Sequence, residues 1–127
     1  MHILVVDDHK TVRRGICSIL ESRKNVEIGG EGLRNGQEAV EKATELVPDL
    51  IILDVTMPRL DGFAAARQIR TSLPEVPIFM LSMHEGHSVV REAQPAGAQG
   101  FVSKRAVGQV LLQALDAVFR GQTSFPA

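Results

Sequence analysis

Apolar positions along this chain fall alternately into short continuous runs and into helical spacing. Buried parallel strands are predicted by four continuous runs, at residues 3–6, 50–53, 78–81 and 101–102, because such strands are covered on both faces. A weaker strand is predicted at residues 26–33, where glycines interrupt the pattern. Strands that alternate with helical segments are typical of α/β proteins.

Helical spacing of apolar residues predicts five helices, one after each strand. The first covers about residues 10–22. Asn35 and Asp61 are placed to cap the next two, which end near Leu46 and Ser72. The fourth lies near residues 87–96 and carries Pro95 close to its end, and the last begins near Val107.

Five strand–helix units in this order predict a doubly wound, five-stranded parallel sheet with helices on both faces. Right-handed crossovers favour the flavodoxin-like strand order 2-1-3-4-5. Residues 1–120 would form this single domain. Residues 121–127 are expected to be a frayed tail, or the start of a linker to an output domain outside this chain.

Composition narrows the class of protein. The net charge of −1 gives no basic field for nucleic acid, so we expect no direct binding of nucleic acid by this chain. No apolar run approaches the ~20 residues that span a bilayer, and no membrane association is expected. Cys17 is the only cysteine, which suits a reducing, cytoplasmic location.

Polar residues follow the predicted strands where each strand ends: Asp7, Asp8, Asp54, Ser82 and Lys104. The carboxyl ends of parallel strands share one edge of the sheet, which is where open α/β sheets bind ligands. Carboxylates suit Mg²⁺ or Mn²⁺. We expect Asp8 and Asp54 to bind the ion directly, Asp7 directly or through water, and the backbone carbonyl of Thr56 to add a further oxygen.

Asp54 is the predicted nucleophile, because it ends the central strand and its carboxylate can attack phosphorus beside the metal. The phosphoryl group of the acyl phosphate would carry roughly 1.5–2 negative charges. Lys104 can meet that charge, and the Ser82 hydroxyl can donate to a phosphoryl oxygen.

Each of these residues also has a simpler interpretation. A single aspartate at a strand end is most often a helix cap or a solvated turn residue, and a single lysine is most often a surface charge. Cys17 lies beside the apolar stripe of the first helix and is expected to be in the core or half-buried. The functional interpretation depends on the combination, since each residue follows a different apolar run.

The chain resembles, from end to end, the receiver domain of two-component response regulators. The matching segments are Val6-Asp7-Asp8-His9, Asp54-Val55-Thr56-Met57-Pro58 with Asp61-Gly62, Leu81-Ser82, and Lys104. Residues 81–85 and 97–104 resemble the NarL/FixJ (LuxR-type) branch, as does the closing Arg120-Gly121-Gln122-Thr123.

The resemblance implies that a sensor histidine kinase, or a small phosphodonor, phosphorylates Asp54 in the presence of Mg²⁺. It implies that Ser82 and Lys104 bind the phosphoryl group and that Phe101 is the switch aromatic, although Phe101 also fits as a plain core residue. Thr56, Met83 and the ionisable His84 stand where they would tune the phosphorylated state. Such a domain catalyses only its own phosphorylation and dephosphorylation, so it is not expected to be an enzyme acting on other substrates.

LuxR-type members of the family usually continue into a helix-turn-helix domain. Too few residues follow Lys104 to form one, so DNA binding is expected only of a longer parent protein, whose transcription-factor output this domain would control. Phosphorylation-dependent self-association through a helical face is also expected.

Two other classes of function are open. An aspartyl-phosphate phosphohydrolase of the haloacid-dehalogenase type shares the nucleophile, but it usually has a second aspartate where Thr56 stands, and a cap insertion that this chain lacks. A degenerate, stand-alone interaction module is the other, and the intact set of acidic residues, Ser82 and Lys104 argues against it.

Overall fold

The architecture is described by a computed structural model, for residues 1–31, 33, 35–55, 61–83 and 87–125. Within these residues one parallel sheet is formed by five strands: β1 (His2–Val6), β2 (Glu27–Gly29), β3 (Leu50–Asp54), β4 (Ile78–Ser82) and β5 (Gly100–Ser103). The strand order is β2-β1-β3-β4-β5, as predicted.

Five helices alternate with the strands: α1 (Lys10–Leu20), α2 (Gly36–Leu46), α3 (Gly62–Ser72), α4 (His87–Ala93) and α5 (Val107–Phe119). Asn35 and Asp61 cap α2 and α3, as predicted. Their side chains accept hydrogen bonds from the backbone N–H groups of Glu38 (2.9 Å) and Ala64 (2.8 Å).

The strand alternation divides the core into two clusters, one on each face of the sheet. Leu4, Ile51 and Met80 face residues of α2, α3 and α4. The residues adjacent to them along each strand, such as Phe79, point to the other face of the sheet and lie against residues of α1 and α5. Strands β3 and β4 are buried along their whole length because both faces are covered, which explains their continuous apolar sequences.

The second strand is shorter than the predicted 26–33 and ends at Gly29. Gly30 follows it with φ +99°, and a Cβ there would lie 2.4 Å from the carbonyl oxygen of Val5. The chain therefore leaves the sheet at a position that only glycine fits.

Two helices end earlier than predicted. After Leu20 the N–H groups of Ser22 and Arg23 bond to carbonyls three residues back, so α1 closes in a tighter turn. Helix α4 ends at Ala93, since Pro95 has no N–H to continue it, and Gly97 with φ +103° turns the chain towards β5.

The tail is not frayed over the residues described. Ser124 pairs with the outer edge of β5, and Phe125 packs partly buried against the core. Its role as a linker stays a prediction.

Two other expectations concern single features. Cys17 is half-buried on α1, as predicted, and burial raises the pKa of its thiol. None of the described helices has the length and apolar character needed to cross a bilayer.

The close packing of β4 on β5 gives a test of the fold. A Cβ added at Gly100 would lie 2.2 Å from Cε1 of the fully buried Phe79, so Gly100→Ala should lower the free energy of unfolding by about 1–3 kcal/mol. Gly15→Ala is the matched control, because its Cβ would meet open space in the middle of α1 and should raise that free energy by up to about 1 kcal/mol. Urea denaturation of both variants measures the difference; equal effects would contradict this packing.

Candidate functional site

Four neighbouring strands bring the predicted polar residues to the same edge of the sheet. Asp54 and Ser82 are the last residues of β3 and β4, Asp7 and Asp8 follow β1, and Lys104 follows β5. The sheet register sets Asp54 beside Leu81 and Ser82 beside Ser103. The sequence prediction that these residues share one edge is therefore confirmed.

Lys104 is the centre of the site. Its Nζ lies 2.8 Å from Oδ2 of Asp7 and 3.1 Å from Oδ2 of Asp54, and its side chain is only 2% exposed. Its backbone N–H donates to the carbonyl oxygen of Ser82, so the end of β4 fixes where Lys104 leaves the sheet. A buried ammonium ion between two carboxylates is screened little by solvent or salt.

The three carboxylates differ in exposure. Asp7 and Asp54 are buried, whereas the Asp8 side chain is 40% exposed. One lysine cannot neutralise three carboxylates, so the edge of the sheet keeps an excess of negative charge. Asp8 offers oxygen atoms at the open side of that charge, where a hydrated cation can reach it.

His9 is a member of the site that we did not predict from the sequence. Its Nδ1 lies 3.1 Å from Asp7, 3.4 Å from Asp8 and 3.9 Å from Asp54, and 3.2 Å from Nζ of Lys104. The available signal was its place directly after the two aspartates, at the residue before α1. Its backbone N–H donates to Oδ1 of Asp7 at 2.8 Å, which holds that carboxylate in place.

The donor set fits a divalent cation. Asp7, Asp8, His9 and Asp54 each offer one ligand atom, and these atoms all lie within 4.8 Å of one another. Oxygen ligands dominate the set, which suits Mg²⁺ or Mn²⁺.

The backbone beyond Asp54 is held by the start of α3. The N–H of Gly62 donates to the carbonyl oxygen of Val55 at 2.8 Å, and the N–H of Val55 donates to that of Leu81 at 2.8 Å. A Cβ at Gly62 would overlap the carbonyl oxygen of Asp54 at 2.1 Å, so this contact requires glycine. Val55, the residue after β3, is therefore hydrogen-bonded both to β4 and to the start of α3.

The structure describes some of the remaining predicted site residues and not others. Thr56 and His84 lie outside the described residues. Met83 is 45% exposed directly after Ser82, next to the site. Phe101 is 3% exposed, in the cluster that includes Ala93 and Ala98. Both the core role and an inward switch position give a buried Phe101, so the switch role stays a prediction.

Comparison with known proteins decides the family. The family model described as the response regulator receiver domain matches residues 3–116. The chain belongs to this family. It is a receiver domain of two-component signal transduction, as its resemblance predicted, and its fold is that of a receiver.

A curated relative of this receiver domain is also a response regulator. Response regulator protein VraR of Staphylococcus aureus is 37% identical over 123 residues, which cover 97% of this chain and 58% of the relative. The chain therefore spans little more than half the length of that relative.

Two solved structures have the same fold as this chain. A LuxR-family response regulator from Aurantimonas sp. SI85-9A1 has a TM-score of 0.88 and 32% identity, covering 97% of this chain and 87% of that one. The non-phosphorylated receiver domain of RcsB from Escherichia coli has a TM-score of 0.88 and 25% identity, covering 100% and 98%.

The buried lysine gives a test of the site. Lys104→Met keeps most of the side-chain volume but leaves Asp7 and Asp54 without their cation, so the free energy of unfolding should fall by about 3–5 kcal/mol. The loss should be smaller when Asp54→Asn is combined with it. Lys42→Met is the control, because Lys42 pairs with Glu45 at the surface (3.8 Å) and such pairs contribute about 1 kcal/mol or less. Urea denaturation without divalent cations measures the free energy of unfolding of the two single variants and the double variant. Equal losses of stability in Lys104→Met and Lys42→Met would contradict a buried ion pair at the site.

Proposed function

We propose that Asp54 accepts a phosphoryl group in a reaction that needs Mg²⁺, and that the added charge switches the surface formed by α4 and β5. The observation that supports this most is the contact of Lys104 with Asp54 at 3.1 Å, at the end of the central strand and beside two further carboxylates. A nucleophile, a cation for the product and a cation-binding cluster therefore share one edge.

The chemistry needs few protein groups. A carboxylate oxygen of Asp54 attacks the phosphorus of the donor, and a new O–P bond forms. The bond from phosphorus to the leaving group breaks, and the leaving group, imidazole of a phosphohistidine or acetate of acetyl phosphate, keeps the electron pair. Lys104 is already in place to pair with a phosphoryl oxygen, and the Ser82 hydroxyl can donate to another.

The same edge would hold the metal ion. Asp8 is the direct ligand with the most exposed carboxylate, Asp54 is the second, and Asp7 acts directly or through water. His9 adds a nitrogen beside them. When bound, the ion would neutralise charge on the incoming phosphoryl oxygens.

The response would start at Ser82 and Lys104. Both turn towards the phosphoryl group, and their backbones are joined by the hydrogen bond from Lys104 N–H to Ser82 oxygen. The movement would reach Phe101 through β5 and then α4. Exposed Met83, together with Thr56 and His84, would set how readily water reaches the phosphoryl group.

The cellular role is part of this proposal. The similarity to a LuxR-family response regulator supports a cytoplasmic regulator whose receiver is phosphorylated by a sensor histidine kinase and controls transcription through an output domain in a longer parent protein. The receiver would act on its own phosphoryl group alone, and phosphorylation would promote a homodimer through a helical face.

Phosphorylation is tested with acetyl phosphate and Mg²⁺. The intact mass should show one phosphoryl adduct, which should disappear in Asp54→Asn and without Mg²⁺, because both the nucleophile and the cation are needed. Asp61→Asn is the matched control, since asparagine also caps a helix and the Asp61 side chain, among the described residues, bonds to the backbone N–H of Ala64 in α3. An adduct that persists in Asp54→Asn would contradict the proposal.

Metal binding is tested by stability. Mg²⁺ at 100 times its dissociation constant should raise the free energy of unfolding by about 2.7 kcal/mol, because it binds only the folded site. Asp8→Asn should abolish most of this gain, and Asp61→Asn should keep it. Equal gains in the two variants, measured by thermal denaturation, would place the cation elsewhere.

A further inference from the structure

The outer edge of β5 is covered by the chain's own tail. The N–H of Ser124 donates to the carbonyl oxygen of Gln99 (2.9 Å), and the N–H of Phe101 donates to the carbonyl oxygen of Ser124 (2.9 Å). These two bonds form a parallel bridge between Ser124 and Gly100. Ser124 and Phe125, here called the latch, thus lie at the outer edge of β5, beside the predicted switch residue.

The end of α5 directs the chain to this edge. Gly121 has φ +83°, a left-handed conformation that favours glycine, and the N–H of Gln122 donates back to the carbonyl oxygen of Ala117 (3.0 Å). The helix cap therefore turns the chain back towards the sheet.

Side-chain packing adds to the two bonds. Phe125 is half-buried against the core cluster that contains Phe101 and Ala93. It also borders a groove with Val90 and Pro95, at and just beyond α4. The latch therefore contacts β5 through its backbone and the α4 region through its ring.

The described contacts of the latch are few. Among the residues that the structure describes, two backbone bonds and one half-buried ring hold it. The next residue in the sequence, at position 126, is a proline and has no N–H to donate to a strand. A shift of β5 or α4 would therefore act on a small number of described contacts.

The latch bonds to two residues with different surroundings. The Gln99 side chain, just before β5, accepts hydrogen bonds from Arg70 (2.8 Å) and from the N–H of Ile78 (2.8 Å), which fix it to α3 and β4. Phe101 lies within β5, three residues before Lys104. A shift of β5 at Phe101 relative to Gln99 would therefore strain the two bonds of the latch.

We propose that the latch is coupled to the phosphoryl site: it is docked while Lys104 pairs with Asp7 and Asp54, and phosphorylation of Asp54 releases it. This inference rests on the proposed function. The contacts of the latch exist in the arrangement in which Lys104 holds both carboxylates, and a phosphoryl group that draws Ser82 and Lys104 changes the positions of Phe101 and α4. Because coupling is reciprocal, loss of the latch must favour phosphorylation.

Amide hydrogen exchange tests the release. In the wild-type chain with acetyl phosphate and Mg²⁺, the exchange rates of the Phe101 and Ser124 amides should rise on the order of tenfold, within the usual range of coupling between sites. The amide of Ile52 in the central strand should not change, which excludes global unfolding. Intact mass of the same sample reports whether Asp54 is phosphorylated.

Variants test the reciprocal effect. Phe125→Ala and Ser124→Pro should each speed phosphorylation by acetyl phosphate about fivefold, and should speed exchange at Phe101 before any phosphodonor is added. Phe119→Ala and Thr123→Pro make the same substitutions at exposed positions outside the latch and should change neither.

The outcomes separate the two proposals. A phosphoryl adduct with unchanged or slower exchange at Phe101 and Ser124 would overturn the latch and leave the proposed function intact. The absence of an adduct, from acetyl phosphate and from a histidine kinase alike, would overturn both. Latch variants that match their controls in phosphorylation rate would overturn the coupling.

Discussion

The buried contact between Lys104 and the carboxylates of Asp7 and Asp54 is the interaction on which the rest of this site depends. The Nζ atom of Lys104, which follows β5, lies 2.8 Å from Oδ2 of Asp7 after β1 and 3.1 Å from Oδ2 of Asp54 at the end of β3. One ammonium group therefore links the ends of three strands. Neutralising two carboxylates with one ammonium leaves the site negative, and this excess is what attracts a divalent cation. The stability of the fold and the chemistry of the site are therefore set by the same charges.

A phosphoryl group would change this balance of charge directly at the site. An acyl phosphate carries roughly 1.5–2 negative charges, whereas the carboxylate that it replaces carries one. Lys104 would then have a stronger partner, and its backbone is bonded to Ser82 and continuous with β5. Gln99, just before β5, is held by Arg70 and Ile78. A local change of charge would therefore move the end of β5 that leads to the site, and the latch contacts this strand.

Much of this molecule was predictable from its sequence, and the rest was not for identifiable reasons. Buried parallel strands are apolar on both faces, so β3 and β4 were visible as runs, and the cap at Asp61 followed from residue type. The length of β2 depends on the contact of Gly30 with the Val5 carbonyl, which no local pattern reports. The latch was missed because it depends on a contact between segments distant in the chain, that of Ser124 with Phe101. His9 directly follows Asp7 and Asp8, but its contact with Lys104 joins distant segments, which no local pattern reports.

The central claim is that charge at Asp54 controls the surface of β5 and α4, and amide chemical shifts on adding Mg²⁺ and the phosphoryl mimic beryllofluoride test it most directly. The account predicts shift changes at Asp54 and Lys104 that continue through Phe101 into α4 and the latch, and their loss in Asp54→Asn. Changes confined to the ends of β1 and β3, with Phe101 and α4 unmoved, would contradict it.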